Sequence, residues 1–276
     1  MNSTQRLIKQ IATGFAAILA VAIIGSIITA SLALFGVLSN SNDSKTSYSL
    51  TFADVKNLSI DSSSYSVTIK EGNEFKVETA NVSTNYKAKL ESDGTLKLYY
   101  DGFQLDWIDS FINSSSNGTV IIYLPSDFIA NETQIESGIE NLTIDHLKTK
   151  ILDLDSSTGN IHGNNITADE TDIDASVGNI DFSNVSFSNA DIDCSVGNIT
   201  ISGEILGESE IDASTGNLTL NLNANSDDYN IIADTSIGSL KINGDKYSET
   251  AWSNPTAENS LDIDGSVGNI NVNFEQ

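Results

Sequence analysis

The chain has 276 residues, with 38 acidic side chains against 13 basic ones, for a formal charge of −25 at pH 7. That balance excludes ordinary DNA or RNA binding, which needs Lys and Arg to neutralise phosphates, and it disfavours docking on anionic lipid or anionic wall polymers unless cations bridge. The single cysteine, Cys194, excludes an internal disulfide.

In chain order, the first element is a hydrophobic segment. Residues Ile11 to Leu38 run without one charged side chain, with Arg6 and Lys9 before them and Asp43 as the first acid after them. About 20 apolar helical residues cross a hydrocarbon core, so this run predicts a transmembrane helix over 11–38. Basic residues stay on the cytoplasmic side, which puts residues 1–10 inside and everything after the 39–49 linker outside. The competing reading is a cleaved signal peptide with Ser31-Leu32-Ala33 at its end; a signal h-region is typically ~7–15 residues, and this run is longer. The exported part then holds all 38 acids and only 11 basic residues.

Residues 50–130 read as irregular β-rich coils and a cap. Leu58–Asp61, Ser66–Ile69, Phe75–Val77, Leu96–Tyr99 and Val120–Leu124 read as strands through their β-branched and aromatic content. A solenoid's open end exposes strand edges and apolar side chains, so a cap is required there.

Residues 131–276 carry a repeat. Asp155-Ser-Ser-Thr-Gly-Asn160 returns at Asp174–Asn179, Asp193–Asn198 and Asp212–Asn217, and more loosely at Asp234–Ser239 and Asp264–Asn269. Its glycines stand at 159, 178, 197, 216, 238 and 268, at intervals of 19, 19, 19, 22 and 30. A fixed period near 20 residues implies stacked copies of one supersecondary unit. Within one copy, Ile173, Ala175 and Val177 alternate with Asp172, Asp174 and Ser176, the pattern of a strand with one buried face. Gly178-Asn179, Ser183-Asn184 and Ser188-Asn189 read as corners. Three short strands and three corners return the chain to its start in 19 residues. The expectation is an all-β parallel solenoid with about 19-residue coils and an insertion over 245–260. An antiparallel sandwich would not need its strands to resemble one another in so strict a register.

The plan resembles the putative adhesin family of bacterial envelope proteins, a group of domains of unknown function. The matching features are the N-terminal hydrophobic segment, the strand pair Leu58–Ile69, the Val-Ile-Ile-Tyr-Leu-Pro strand at 120–125 and the run of Asp-x-Ser-x-Gly-Asn coils. The resemblance covers roughly 50–276. It implies a β-helical surface domain and supplies no catalytic or ligand residue. The chain departs from the regular pattern in the 245–260 insertion and the long 101–118 loop.

Two candidate sites follow from the residues. The outward positions Asp155, Asp174, Asp193 and Asp212, with Asp172 and Asp191 two residues earlier in their coils, form acidic columns. Like charges stacked on adjacent strands repel. Two compensations are open: a Ca²⁺ ladder between coils, or hydrogen bonds from backbone N–H groups and Ser hydroxyls, with the second the simpler reading. The aromatic run Tyr100, Phe103, Trp107 and Phe111 could grip a sugar or protein partner, or lie down as a lid on the solenoid. His146 and His162 have no zinc-like spacing, and Cys194 reads as a small core residue.

The reading is a non-enzymatic, single-pass envelope protein whose extracytoplasmic solenoid serves adhesion or holds an envelope protein or polysaccharide. One alternative is an accessory protein of an envelope-stress response, pairing through small residues Gly14, Ala17, Gly25 and Ala30 of its helix. A second is a carboxylate-dependent polysaccharide-active enzyme. The residues after 150 include only Lys241 and Lys246 as basic groups, which argues against a lyase.

Overall fold

The computed structural model describes residues 44–62, 64–101, 117–247, 250–252 and 254–275. The hydrophobic run 11–38 lies outside them. Among the described residues the fold is all-β, and no helix is long and apolar enough to cross a membrane.

Two long parallel ladders run the length of the solenoid. The first takes its strands in the spatial order Thr95–Tyr100, Asn57–Ser62, Ala130–Ser137, Leu147–Thr158, Ile166–Val177, Ala190–Val196, Glu208–Thr215, Asn259–Val267 and Tyr229–Ile237. The second runs Thr119–Pro125, Ser66–Gly72, Leu142–Ile144, Ile161–Asn164, Ile180–Ser188, Ile199–Leu206, Leu218–Leu222, Ile270–Phe274 and Leu240–Ile242. In the middle coils a third side joins 147–149 to 166–168, 166–168 to 185–188, and 185–188 to 203–206. The three-sided coil is as the repeat predicts.

The order of coils is not the order of the sequence. The coil 259–274 lies between 208–222 and 229–242. At the other end, 57–72 lies between 95–125 and 130–144. Thus the longest repeat interval, from Gly238 to Gly268, reflects a chain that leaves the stack and returns one level inward. Antiparallel strands close both ends. Phe75–Ser83 pairs with Thr119–Pro125, Lys45–Phe52 pairs with Phe75–Ser83, and Tyr86–Leu90 pairs with Thr95–Tyr100. At the far end Thr250–Trp252 and Asp245–Tyr247 play the same part.

The core is one column. Ile173, Ile192, Ile211, Ile263 and Ala233 are buried in successive coils, each in register with the next. Phe182 and Phe187 fill the width of one coil edge-to-face, with ring centroids 5.3 Å apart. The inward alternation stops one position sooner than its sequence period suggests. Ala175 and Cys194 are buried, but Val177 is 47% exposed and Val196 38% exposed. Ser176 and Val177 both face solvent, so the alternation breaks before the strand ends.

Candidate functional site

Strand alternation and parallel register build the acidic face together. With Ile173 and Ala175 turned inward, Asp172 and Asp174 must turn outward. In-register stacking then sets each acid beside its counterpart. The longer column runs Asp61, Glu136, Asp155, Asp174, Asp193, Asp212, Asp264 and Asp234. The second runs Asp153, Asp172, Asp191, Glu210 and Asp262. All six carboxylates expected from the sequence lie on this face. Asp61 and Glu136 extend the column although their coils lack the Gly-Asn corner. Asp264, the last copy in sequence, sits between Asp212 and Asp234.

Hydrogen bonding leaves the middle of the columns uncompensated. Gln134 Nε2 donates to Asp153 Oδ2 at 3.3 Å. Among the described residues, no donor reaches Asp155, Asp172, Asp174, Asp191, Asp193 or Asp212, and Asp212 Oδ1 is a buried oxygen without a partner. The expected bonds from Ser hydroxyls and backbone N–H groups are therefore absent at these six among the described residues, and the serines at 157, 176, 195 and 214 face water. Partial burial pushes the carboxyls of Asp155, Asp172, Asp193 and Asp212 above the ordinary Asp value, and neighbouring column carboxylates push them further. Shallow depressions on this face are lined by Glu136, Asp155, Asp174 and Ser176, and by Asp174, Asp193, Ser195 and Ser214. The carboxylates stand in straight columns. Among the described residues no three acidic, His or Cys side chains converge as a metal ion requires.

The Gly-Asn corner beside this face is structural. A Cβ on Gly178 would stand 1.7 Å from the Gly159 carbonyl oxygen, and one on Gly197 the same distance from that of Gly178. Coils approach so closely here that only glycine fits. The following asparagines do not adopt positive φ, contrary to the turn reading. They form a ladder instead. The backbone N and Nδ2 of Asn160, Asn179, Asn198, Asn217 and Asn269 each donate to Oδ1 of the asparagine one coil away, at 2.9–3.2 Å. Asparagines with positive φ stand at the other corners, as at Asn165, Asn184 and Asn189.

The remaining candidates separate. Phe103, Trp107 and Phe111 lie outside the described residues. Tyr100 is half-buried against the core, and its hydroxyl lies 2.8 Å from Ser83 Oγ. His162 Nδ1 stands 3.6 Å from an exposed Asp181 oxygen, and His146 Nε2 is buried without a partner. Cys194 is buried, its thiol donating to the Gly178 carbonyl oxygen at 3.8 Å, and burial pushes its pKa up. It occupies the small inward position that Ala fills in the coils on either side.

Solved structures with related outlines carry low identity. A putative cell adhesion protein from Clostridium sporogenes aligns over 84% of this chain and 100% of its own, at 14% identity and a TM-score of 0.35. A putative adhesin from Bacteroides fragilis aligns over 84% and 98%, at 12% identity and a TM-score of 0.41. A putative lipid binding protein from Parabacteroides distasonis aligns over 85% and 98%, at 13% identity and a TM-score of 0.37. No curated protein matches the chain. The model of the Toastrack DUF4097 family matches residues 55–246, well over half the sequence. By that match, the chain belongs to the Toastrack DUF4097 family.

Proposed function

We propose that this chain works without catalysis, as an adhesin-like interaction module of the cell envelope. Its hydrophobic segment 11–38 holds it in the membrane, with the solenoid outside. The observation that carries the reading is the acidic face: two in-register columns of solvent-facing carboxylates, of which Asp155, Asp172, Asp174, Asp191, Asp193 and Asp212 have no side-chain donor among the described residues. Repeated about every 4.8 Å along the stack, these charges sum to a strong local field. A partner with regularly spaced cationic groups fits this field, as does an anionic polymer bridged by Ca²⁺. Each contact is weak and exposed, so binding is multivalent and salt-sensitive.

The test is adhesion of cells displaying the full chain to surfaces coated with a basic polymer, and to an anionic wall polymer with Ca²⁺ or EDTA. Replacing Asp172, Asp174, Asp191 and Asp193 by Asn abolishes most of the adhesion if the face is the contact. Unchanged adhesion by that variant removes the proposal. Swapping residues 1–43 for an unrelated anchor leaves adhesion intact. Its loss would favour the envelope-stress reading, in which the helix itself pairs with a membrane partner.

A further inference from the structure

Among the described residues the solenoid's ends present four outer strands, and three of them are blunted against association. Tyr86–Leu90 carries Lys87 and Lys89, and Asp245–Tyr247 and Thr250–Trp252 are three residues long. Short strands and edge lysines are the usual protections of an open edge. The fourth, Lys45–Phe52, is longer; its one lysine is its first residue, and the register shift in its pairing lies between Thr46 and Tyr48, so Tyr48–Phe52 is a regular edge. Its other seven residues are Ser, Thr, Tyr, Leu and Phe, and among the described residues it pairs with Phe75–Ser83 alone. Tyr48 N donates toward that neighbour, to Thr79 Oγ1 at 3.1 Å. Successive N–H groups of a strand point to opposite edges, so the N–H groups of Ser49 and Thr51 point to the open one.

The charge distribution selects the occupant. Residues 151–276 hold 22 acids and two lysines, whereas residues 44–101 hold eight acids and seven lysines. Two copies of this chain repel over most of their surface, but not at this end. An antiparallel edge is also self-complementary about a two-fold axis. We propose that Lys45–Phe52 pairs with the same strand of a second copy, antiparallel and centred on Ser49. This register opposes Ser47 to Thr51 and sets Leu50, 41% exposed in the single chain, against Tyr48 of the second copy. The pairing rests on the edge itself. Membrane anchoring under the reading above would only raise the local concentration, so either can fail without the other.

The register gives a sharp test on the full chain in detergent micelles. Ser49→Cys brings two thiol-bearing residues into a directly opposed pair with Cα atoms about 5.5 Å apart, within disulfide reach. Thr51→Cys leaves its two copies four residues apart along the pair, roughly 13 Å. Oxidative cross-linking at least ten-fold greater for Ser49→Cys than for Thr51→Cys is the expected result, with the parent chain, whose Cys194 is buried, as background. Adding Thr51→Pro to Ser49→Cys removes an outward N–H and suppresses the cross-link. Equal cross-linking of the two cysteine variants overturns the proposal. So does a parent chain that sediments as a monomer at every concentration up to 100 times that of the cross-linking reaction. Cross-linking that appears only after deletion of residues 102–116 also overturns it, because the edge would then belong to that segment.

Discussion

At the scale of single residues, close approach and hydrogen bonding decide more than turn propensity does. Gly178 has φ +150°, and its missing side chain makes room for the Gly159 carbonyl oxygen. Gly244 also has positive φ, +85°, but nothing lies within 4 Å of the Cβ it lacks. The two therefore separate strain from collision. Gly244→Ala should cost about 1–2 kcal/mol, the backbone term alone. Gly178→Ala should cost at least about 3 kcal/mol, because the coil spacing must open as well. Denaturant titration of the two variants measures the difference. Equal costs would mean that the coils can part at this corner. Asn179 illustrates the second effect. Its Oδ1 accepts both donors of Asn198, so Asn179→Ala leaves a backbone N–H and an amide of the next coil without their partner, at about 1–3 kcal/mol. An amide ladder of this kind is bound to parallel, in-register stacking, which is why the asparagine recurs at these corners, with Ser239 taking its place after Gly238 and bonding Asn269 Oδ1.

At the scale of one sheet face, like charges in the middle of the columns are stacked without compensation, and the sign of the pH response follows. Asp155, Asp172, Asp193 and Asp212 have carboxyls raised above the ordinary Asp value in the folded state. A carboxyl that binds its proton more tightly when folded destabilises the fold while ionised. The penalty is present at neutral pH and is relieved as pH falls through the folded pKa values toward the ordinary Asp value near 3.9. Opposing groups exist: the Lys76 hydrogen bond holds Glu78 low, and the Thr95 N–H holds Asp93 low, so their contributions are lost only as pH falls below the ordinary carboxylate range. The melting temperature should thus rise between pH 7 and about 4.5, and rise also with added NaCl at pH 7. Asp172→Asn with Asp193→Asn should flatten both curves. A melting temperature that falls steadily on acidification would show that the face is compensated after all. Much of this face was legible in the sequence, because Asp172 and Asp174 alternate with Ile173 and Ala175 under a 19-residue period. Its uncompensated state was not, since nothing in the repeat tells whether Ser176 bonds an acid or faces water. Val177 was misplaced for a related reason: alternation in the sequence does not reveal the residue at which it breaks in the strand.

At the scale of the whole molecule, the coil 57–72 and the last coil in sequence, 259–274, are each threaded between two others. Sequence similarity identifies coils but not their neighbours, so the repeat could reveal its six copies without revealing that 259–274 slips inside 229–242. The consequence is energetic. A simple solenoid loses one interface when its last coil peels away, and stability behaves as a sum of coil and nearest-neighbour terms. Here the last coil in sequence holds two interfaces, one to 208–222 and one to 229–242. Removing it also strips 229–242 of its only parallel neighbour among the described residues. Ending the chain after Ala257 should accordingly unfold residues 229–257 as a block instead of trimming one coil. Lys241 and Lys246 are the only tryptic sites beyond residue 150, which makes the outcome easy to read. The intact chain should resist trypsin at Lys241, because Leu240–Ile242 is bonded on both sides. The shortened chain should be cut at Lys241 at least ten times faster, while fragments ending near Lys150 stay protected. Equal protection of Lys241 in the two chains would mean that 229–242 can dock directly on 208–222, and that the threading adds no stability of its own.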